Sequence, residues 1–183
     1  EGYYRRALEL HRAALGDDHP YVETNLHNLA LMLANIGRNK EAIELQEEAL
    51  ARSRVLYPDG HEQIASSLVA LANLYRYDDE RSPEAPKMIR EAIALESKLY
   101  GESSRDVAHS HHELGRILSA QRDYEGAVEA YEQAIALYAA LYGERNNNVA
   151  VSMDALARTL GSLERYDEAG AMFDRVLEIQ NRL

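Results

Sequence analysis

The sequence contains no cysteine, few positive charges relative to its negative ones, and no long hydrophobic run. The absence of cysteine excludes disulfides, thiolate metal sites and cysteine nucleophiles, and it fits a reducing compartment. The formal net charge of −11 argues against a nucleic-acid surface or an anionic membrane surface as partner, since both attract clustered positive charge. No apolar stretch approaches the roughly 18 residues of a transmembrane helix, and no signal peptide is visible. We therefore expect a cytoplasmic protein without nucleic-acid or membrane partners.

Sequence signatures of common enzymes are also absent, because the chain has no G-x-S-x-G motif, no P-loop and no G-x-G-x-x-G motif. The one cluster that could bind a metal or catalyse a reaction surrounds His111. There, His109, His112 and Glu113 have the spacing i, i+3, i+4, so one helical face could offer three metal ligands. No H-E-x-x-H motif accompanies them, and His111 falls in a core-facing register. We predict no catalytic residue, no metal site and no cofactor.

The sequence does contain one residue pattern that recurs every 42 or 43 positions. A small residue followed by an aliphatic one forms the first series, leucine forms the second, and alanine forms the third. Repeats of this period are typical of a stacked solenoid, which presents an extended surface to partners. The members of the three series are Ala7, Ala49, Ala92, Ala134 and Val176; Leu29, Leu71, Leu114 and Leu156; and Ala42, Ala85, Ala127 and Ala169.

Each period holds two amphipathic segments separated by short polar breaks, which predicts about nine helices. A lone second helix is expected over residues 1–15, and four helix pairs over 20–57, 61–100, 103–142 and 146–183. The single 43-residue step reflects a loop bulge near residues 77–81, after which Ser82 and Pro83 are expected to restart a helix. Because the chain starts at Glu1 inside a helical pattern, we interpret it as one array from a longer protein.

These features resemble the tetratricopeptide repeat, in which Leu-Gly or Leu-Ala on the first helix accompanies Ala-x3-aromatic on the second. The chain has Leu114-Gly115 followed by Ala127-x3-Tyr131. The period exceeds the usual one of about 34 residues, and the linker Leu15-Gly-Asp-Asp-His-Pro-Tyr-Val22 resembles the kinesin-light-chain-like subclass. The resemblance implies an all-α, right-handed superhelical solenoid of helix hairpins. A HEAT-like array has a similar period, but the alanine register fits it less well.

In the family that the chain resembles, the first helix of each pair lines a concave groove that binds peptides. Asparagine there can bind a peptide backbone with both a donor and an acceptor, and arginine can bind a carboxylate. Arg76, Arg116 and Arg158 would place positive charge inside an acidic protein, which favours an acidic ligand. The competing interpretation is an ordinary solvated surface. The predicted groove residues are His27, Asn28, Asn73, Arg76, Tyr77, His109, His112, Arg116, Asp154 and Arg158.

The resulting hypothesis is a non-catalytic scaffold that binds a protein or peptide segment in its groove. A second hypothesis is a regulatory array within a larger kinase, protease or STAND-type ATPase, where the ligand is a domain of the same protein. Self-association is a further expectation, because the first helix lacks its partner and would expose Tyr4 and Leu8.

Overall fold

A computed structural model describes residues 1–181 of the 183, and within this range the chain forms nine α-helices and no strand. Residues 182 and 183 of the predicted last pair lie outside the described part. No helix between residues 1 and 181 is long and apolar enough to cross a membrane. The helices are α1 (Gly2–Leu15), α2 (Pro20–Asn35), α3 (Asn39–Leu56), α4 (Glu62–Tyr75), α5 (Ala85–Tyr100), α6 (Arg105–Ala120), α7 (Tyr124–Tyr142), α8 (Asn147–Ser162) and α9 (Tyr166–Gln180).

The first helix of each pair begins at a side chain that accepts a hydrogen bond from the helix backbone. Serine and asparagine are common in this position, whereas His19 and His61 fill it through Nδ1. Their Nδ1 atoms lie 3.2 and 3.3 Å from the backbone nitrogens two residues later. Helix starts are therefore fixed at the same point of each period. These N-cap residues are His19, His61, Ser104 and Asn146.

The loop before α5 differs from the sequence expectation. Ser82 was expected to be the N-cap of the next helix, but residues Ser82–Glu84 form a 3-10 turn and α5 starts at Ala85. The reason is Pro86, which has no N–H and whose ring would clash with the carbonyl of Ser82 in a continuous α-helix. Asp78 fixes the loop, since its Oδ1 accepts hydrogen bonds from the backbone N–H groups of Glu80 and Arg81, each at 3.1 Å.

The described helices form two compact units, one over Glu1–Leu95 and one from Glu96 onward. In the first unit α2 packs against α1 and α3, and α3 packs against α4. In the second unit α7 packs between α6 and α8, and α8 packs against α9. The backbones of neighbouring first helices also approach each other, α2 with α4 and α6 with α8, whereas α1 and α3 meet through long side chains, in the Arg5–Glu41 and Arg12–Glu48 ion pairs. The first helices therefore form the inner layer of each unit.

Small residues at equivalent positions allow the two helices of a pair to approach closely. On the second helices Ala42, Ala85 and Ala127 are fully buried. On the first helices the position that is glycine in the tetratricopeptide pattern is Gly115, and it faces Tyr131. A Cβ atom at Gly115 would lie 2.7 Å from Cε1 of the Tyr131 ring, which is closer than such atoms can pack.

The carboxylate of Glu96 lies in the interior of the second unit. Glu96, near the end of α5, is 6% exposed, and among the described residues its Oε2 atom is buried without a hydrogen-bond partner. Burial, together with the negative charge of Asp106, raises the pKa of Glu96 to about 7 against the lowering effect of the Ser110 hydroxyl. Ionising this group in the folded state therefore opposes folding.

We expect Gly115→Ala to destabilise the fold by up to about 2 kcal/mol, since overpacking costs about 1–3 kcal/mol and alanine returns about 1 kcal/mol through helix propensity. Gly170→Ala on α9 is the matched control, because no atom lies within 4 Å of a Cβ there. That control should stabilise by about 0.5–1 kcal/mol. Denaturant unfolding measures both values. Equal effects of the two substitutions would show that the Gly115–Tyr131 contact is unimportant.

We expect the stability of the second unit to fall as the pH rises from about 4.5 to about 7, because the folded state holds the Glu96 proton more tightly than the unfolded state does. Above this window Glu96→Gln should be about 2–3 kcal/mol more stable than the parent, and the difference should vanish below it. Thermal melts across this pH range test the sign. Glu129→Gln, at an exposed position on α7, controls for the loss of one negative charge.

Candidate functional site

One face of each first helix stays at least partly open to solvent, opposite the buried leucines. On α4 this open face consists of Ser66, Val69 and Asn73, and it continues past the end of the helix to Tyr77, next to the C-cap residue Arg76. The equivalent positions on α2, α6 and α8 are 42 or 43 residues apart. We call this surface the first-helix face. It carries most of the predicted groove residues.

In the first unit, the predicted residues of α2 lie on the first-helix face but are half-buried. Asn28 and His27 are both partly covered, and burial lowers the pKa of His27, so its neutral form is favoured. Within residues 1–181, the Nδ1 atom of His27 and the Oδ1 atom of Asn73 are buried without hydrogen-bond partners.

Arg76 and Tyr77 directly follow the last residue of α4 and form a stacked pair. The Arg76 guanidinium carbon lies 4.6 Å from the centroid of the Tyr77 ring, and Nη2 donates a hydrogen bond to the Tyr77 hydroxyl. Tyr77 is 67% exposed. No carboxylate within the described residues pairs with Arg76. The guanidinium therefore keeps its positive charge uncompensated by an ion pair.

In the second unit, His112 has a structural environment that sequence reasoning missed. Its Nδ1 lies 3.0 Å from the Ser152 hydroxyl of α8, and its ring packs edge-on against Tyr131 of α7 at 5.4 Å between centroids. Burial lowers the pKa of His112. Because it contacts two other helices, His112 contributes to packing as well as to the face. His109, one turn earlier, is exposed.

Glu113, one of the three residues of α6 with the spacing of metal ligands, is only 3% exposed. Its two carboxylate oxygens accept hydrogen bonds from Nη1 of Arg116 at 2.8 and 2.9 Å. A buried carboxylate requires such a partner, and Arg116 supplies it from the next turn. Across residues 1–181, no three His, Cys, Asp or Glu side chains are grouped so that they could hold a metal ion.

The third predicted arginine is also paired. Arg158 Nη2 lies 2.9 Å from Asp154 Oδ2 one turn earlier on α8, and the Arg158 side chain is 73% exposed. Two of the three arginines expected to supply positive charge are thus compensated by a carboxylate on their own helix. The positive charge expected on this face is therefore compensated locally at Arg116 and Arg158.

The first helix of the chain is less exposed than expected. Leu8 is 7% exposed, since α1 packs against α2, whereas Tyr4 is largely open to solvent. The apolar surface proposed for self-association therefore includes Tyr4 but not Leu8. Self-association remains a prediction.

A sequence model described as Tetratricopeptide repeat matches the chain in four overlapping segments, residues 1–54, 21–98, 63–140 and 106–182. The chain belongs to the tetratricopeptide repeat family. Proteins with this fold are generally scaffolds for protein–protein interaction. The family match confirms the all-α repeat fold expected from the alanine and leucine registers, and the HEAT-like alternative falls away.

Solved structures agree with this assignment. Nearly identical TPR-like repeats from Podosopora anserina, described as a kinesin light chain, superpose with TM-scores of 0.86 and 0.84 in two crystal structures. They are 24% identical and cover 99% of this chain and 85% of that one. BtubC (BKLC) from P. vanneervenii superposes with a TM-score of 0.80 at 25% identity, covering 100% of this chain and 72% of that one. The expected likeness to kinesin light chain repeats is confirmed.

A curated relative is much longer than this chain. The clustered mitochondria protein homolog of Culex quinquefasciatus is 29% identical over 124 residues, which make up 68% of this chain and 9% of that protein. The chain thus spans less than a tenth of the length of this relative.

We expect Arg116→Gln to destabilise the second unit by about 1–2 kcal/mol, because it leaves the buried Glu113 carboxylate without its charged partner. Arg158→Gln should cost no more than about 0.5 kcal/mol, since Asp154 and Arg158 form an exposed pair. Denaturant unfolding of the two variants measures the contrast. Adding Glu113→Gln to Arg116→Gln should recover much of the loss. A loss equal to that of Arg158→Gln would contradict the structural role assigned to Arg116.

Proposed function

We propose that this chain is a non-catalytic scaffold that binds an extended peptide or protein segment on its first-helix face, with an acidic segment as the favoured ligand. The observation that carries the proposal is that, within each unit, most open positions of the first helices hold polar side chains, such as Thr24 and Asn73 in the first unit and His109 and Arg158 in the second. An extended peptide presents backbone groups along its length, so a surface lined with amides and charged groups complements it.

The side chains of the first-helix face suit a peptide ligand more than a small molecule. Asn28 and Asn73 carry side-chain amides, and an amide NH2 group can donate a hydrogen bond to a peptide carbonyl. Tyr77 offers an exposed aromatic surface next to the cationic Arg76, a combination that is frequent in protein interfaces. The face lies on rigid helices whose opposite sides are fixed in the core, which limits the entropy lost on binding.

An acidic ligand is favoured by the position of Arg76. Although the whole chain carries a formal net charge of −11, this face has in Arg76 an arginine that pairs with no carboxylate between residues 1 and 181. A segment with acidic side chains can approach that arginine, whereas a basic segment would be repelled from it.

A second candidate is a regulatory array whose ligand is another domain of a longer protein, such as a kinase, a protease or a STAND-type ATPase. The match to the clustered mitochondria protein homolog covers only 9% of that relative, so repeats of this kind can form a small part of a larger protein, which supports this candidate. The binding surface would be the same first-helix face, but its ligand would be folded and intramolecular.

The proposal is tested with a displayed library of random linear peptides selected against the chain. Binding of the selected peptides is then compared between the parent and two variants that each reverse two charges. Arg76→Glu/Arg158→Glu alters the first-helix face, and Arg54→Glu/Arg175→Glu alters exposed positions on α3 and α9. Arg116 is left unchanged because it compensates the buried Glu113.

We expect the face variant to lose at least about tenfold in affinity for the selected peptides, and the control variant to lose less than about threefold. Equal affinities of the two variants would place binding elsewhere on the surface. A library that yields no binder would contradict peptide recognition and favour the intramolecular candidate. Thermal melts of both variants establish that they remain folded.

A further inference from the structure

We infer that Arg76 is the residue that binds a carboxylate of the ligand, and that Arg116 and Arg158 contribute little to this contact. The inference rests on the proposed function, since it assumes that a segment binds the first-helix face. All three arginines lie on the open side of a first helix or at its end, but their electrostatic environments differ.

Arg116 is paired with the buried carboxylate of Glu113. Its Nη1 donates to both oxygens of Glu113 at 2.8 and 2.9 Å, and Glu113 is almost fully buried. If Arg116 turned toward a ligand carboxylate, it would break its ion pair with the buried Glu113. The new contact would therefore replace an existing one of the same kind and give no net gain.

Arg158 is more exposed than Arg116, but it is also locally neutral. Asp154 lies 2.9 Å away on the same helix face. A ligand carboxylate close enough to bind Arg158 would also approach Asp154, so attraction and repulsion would largely cancel.

The buried histidines of the face add no positive charge near neutral pH. Burial lowers the pKa of His27 and of His112, so both are neutral there and act as hydrogen-bonding groups.

Among the described residues, Arg76 contacts the uncharged Tyr77 and pairs with no carboxylate, so its charge is available to a ligand. Tyr77 stacks under the guanidinium and accepts a hydrogen bond from Nη2, which holds the planar donor group in place before binding. A fixed guanidinium loses less conformational entropy when it binds a carboxylate than a free arginine does. Asn73 lies one turn earlier on the same helix, where its amide can bind the ligand backbone beside that carboxylate.

The test is a double-mutant cycle between protein and peptide. The probe is an acidic peptide selected from the random library, together with the same peptide in which every Asp and Glu is replaced by Asn and Gln. The protein variants are Arg76→Gln, Arg76→Lys, and two pair replacements that keep the net charge, Glu113→Gln/Arg116→Gln and Asp154→Asn/Arg158→Gln. Fluorescence polarisation gives the dissociation constants at low and at high salt.

For the acidic peptide we expect Arg76→Gln to weaken binding about tenfold or more, the loss typical of a charge-assisted hydrogen bond, and to abolish most of the salt dependence. For the amide peptide the same variant should change affinity by less than about threefold. Arg76→Lys should recover part of the affinity, because it keeps the charge but not the planar donor group. The two pair replacements should each cost less than about threefold.

The inference is overturned if the Glu113/Arg116 or Asp154/Arg158 replacement weakens the acidic peptide as much as Arg76→Gln does; the proposed function would then still stand. It is also overturned if Arg76→Gln weakens the acidic and amide peptides equally, or if the selected peptides carry no acidic residue. If no selected peptide depends on the first-helix face, the proposed function and the inference both fail.

Discussion

The close approach of the two helices within each pair is the constraint on which the rest of the structure depends. It requires residues without bulk at fixed positions, such as the buried Ala42 and Ala127 on second helices and Gly115 opposite Tyr131. Because these positions recur with a period of 42 or 43 residues, every pair presents the same side of its first helix to its partner. The opposite side of that helix is fixed by the same packing, and it becomes the open face.

Burial also determines which charges on the open face can act on a ligand. The position of Glu113 is buried, so the protein needs Arg116 as its partner. Arg158 is exposed but has Asp154 beside it, whereas Arg76 has the uncharged Tyr77. Three arginines that look equivalent as parts of one groove therefore differ in the charge they offer. The distinction arises from neighbours no more than one turn away along the chain, and under our proposal it gives the first-helix face a specific position for a carboxylate.

The fold was predictable because helical periodicity and the alanine and leucine registers depend on local spacing. The loop before α5 was not, since the effect of Pro86 on the carbonyl of Ser82 depends on where the helix starts. In the candidate site, the residues that share a face were predictable from register. The Ser152 contact of His112 was not, because it joins residues 40 positions apart, and neither was the burial of Glu113, since charged residues are rarely buried.

The central claim is that ligands bind the first-helix face, and mapping amide chemical shifts by NMR during titration with a selected peptide tests it most directly. The account predicts that the largest shifts cluster around Asn73, Arg76 and Tyr77 on α4 and at the open positions of the other first helices, while amides of α3 and α7 change little. Large shifts confined to the second helices, or to the exposed end of α1 around Tyr4, would contradict the account.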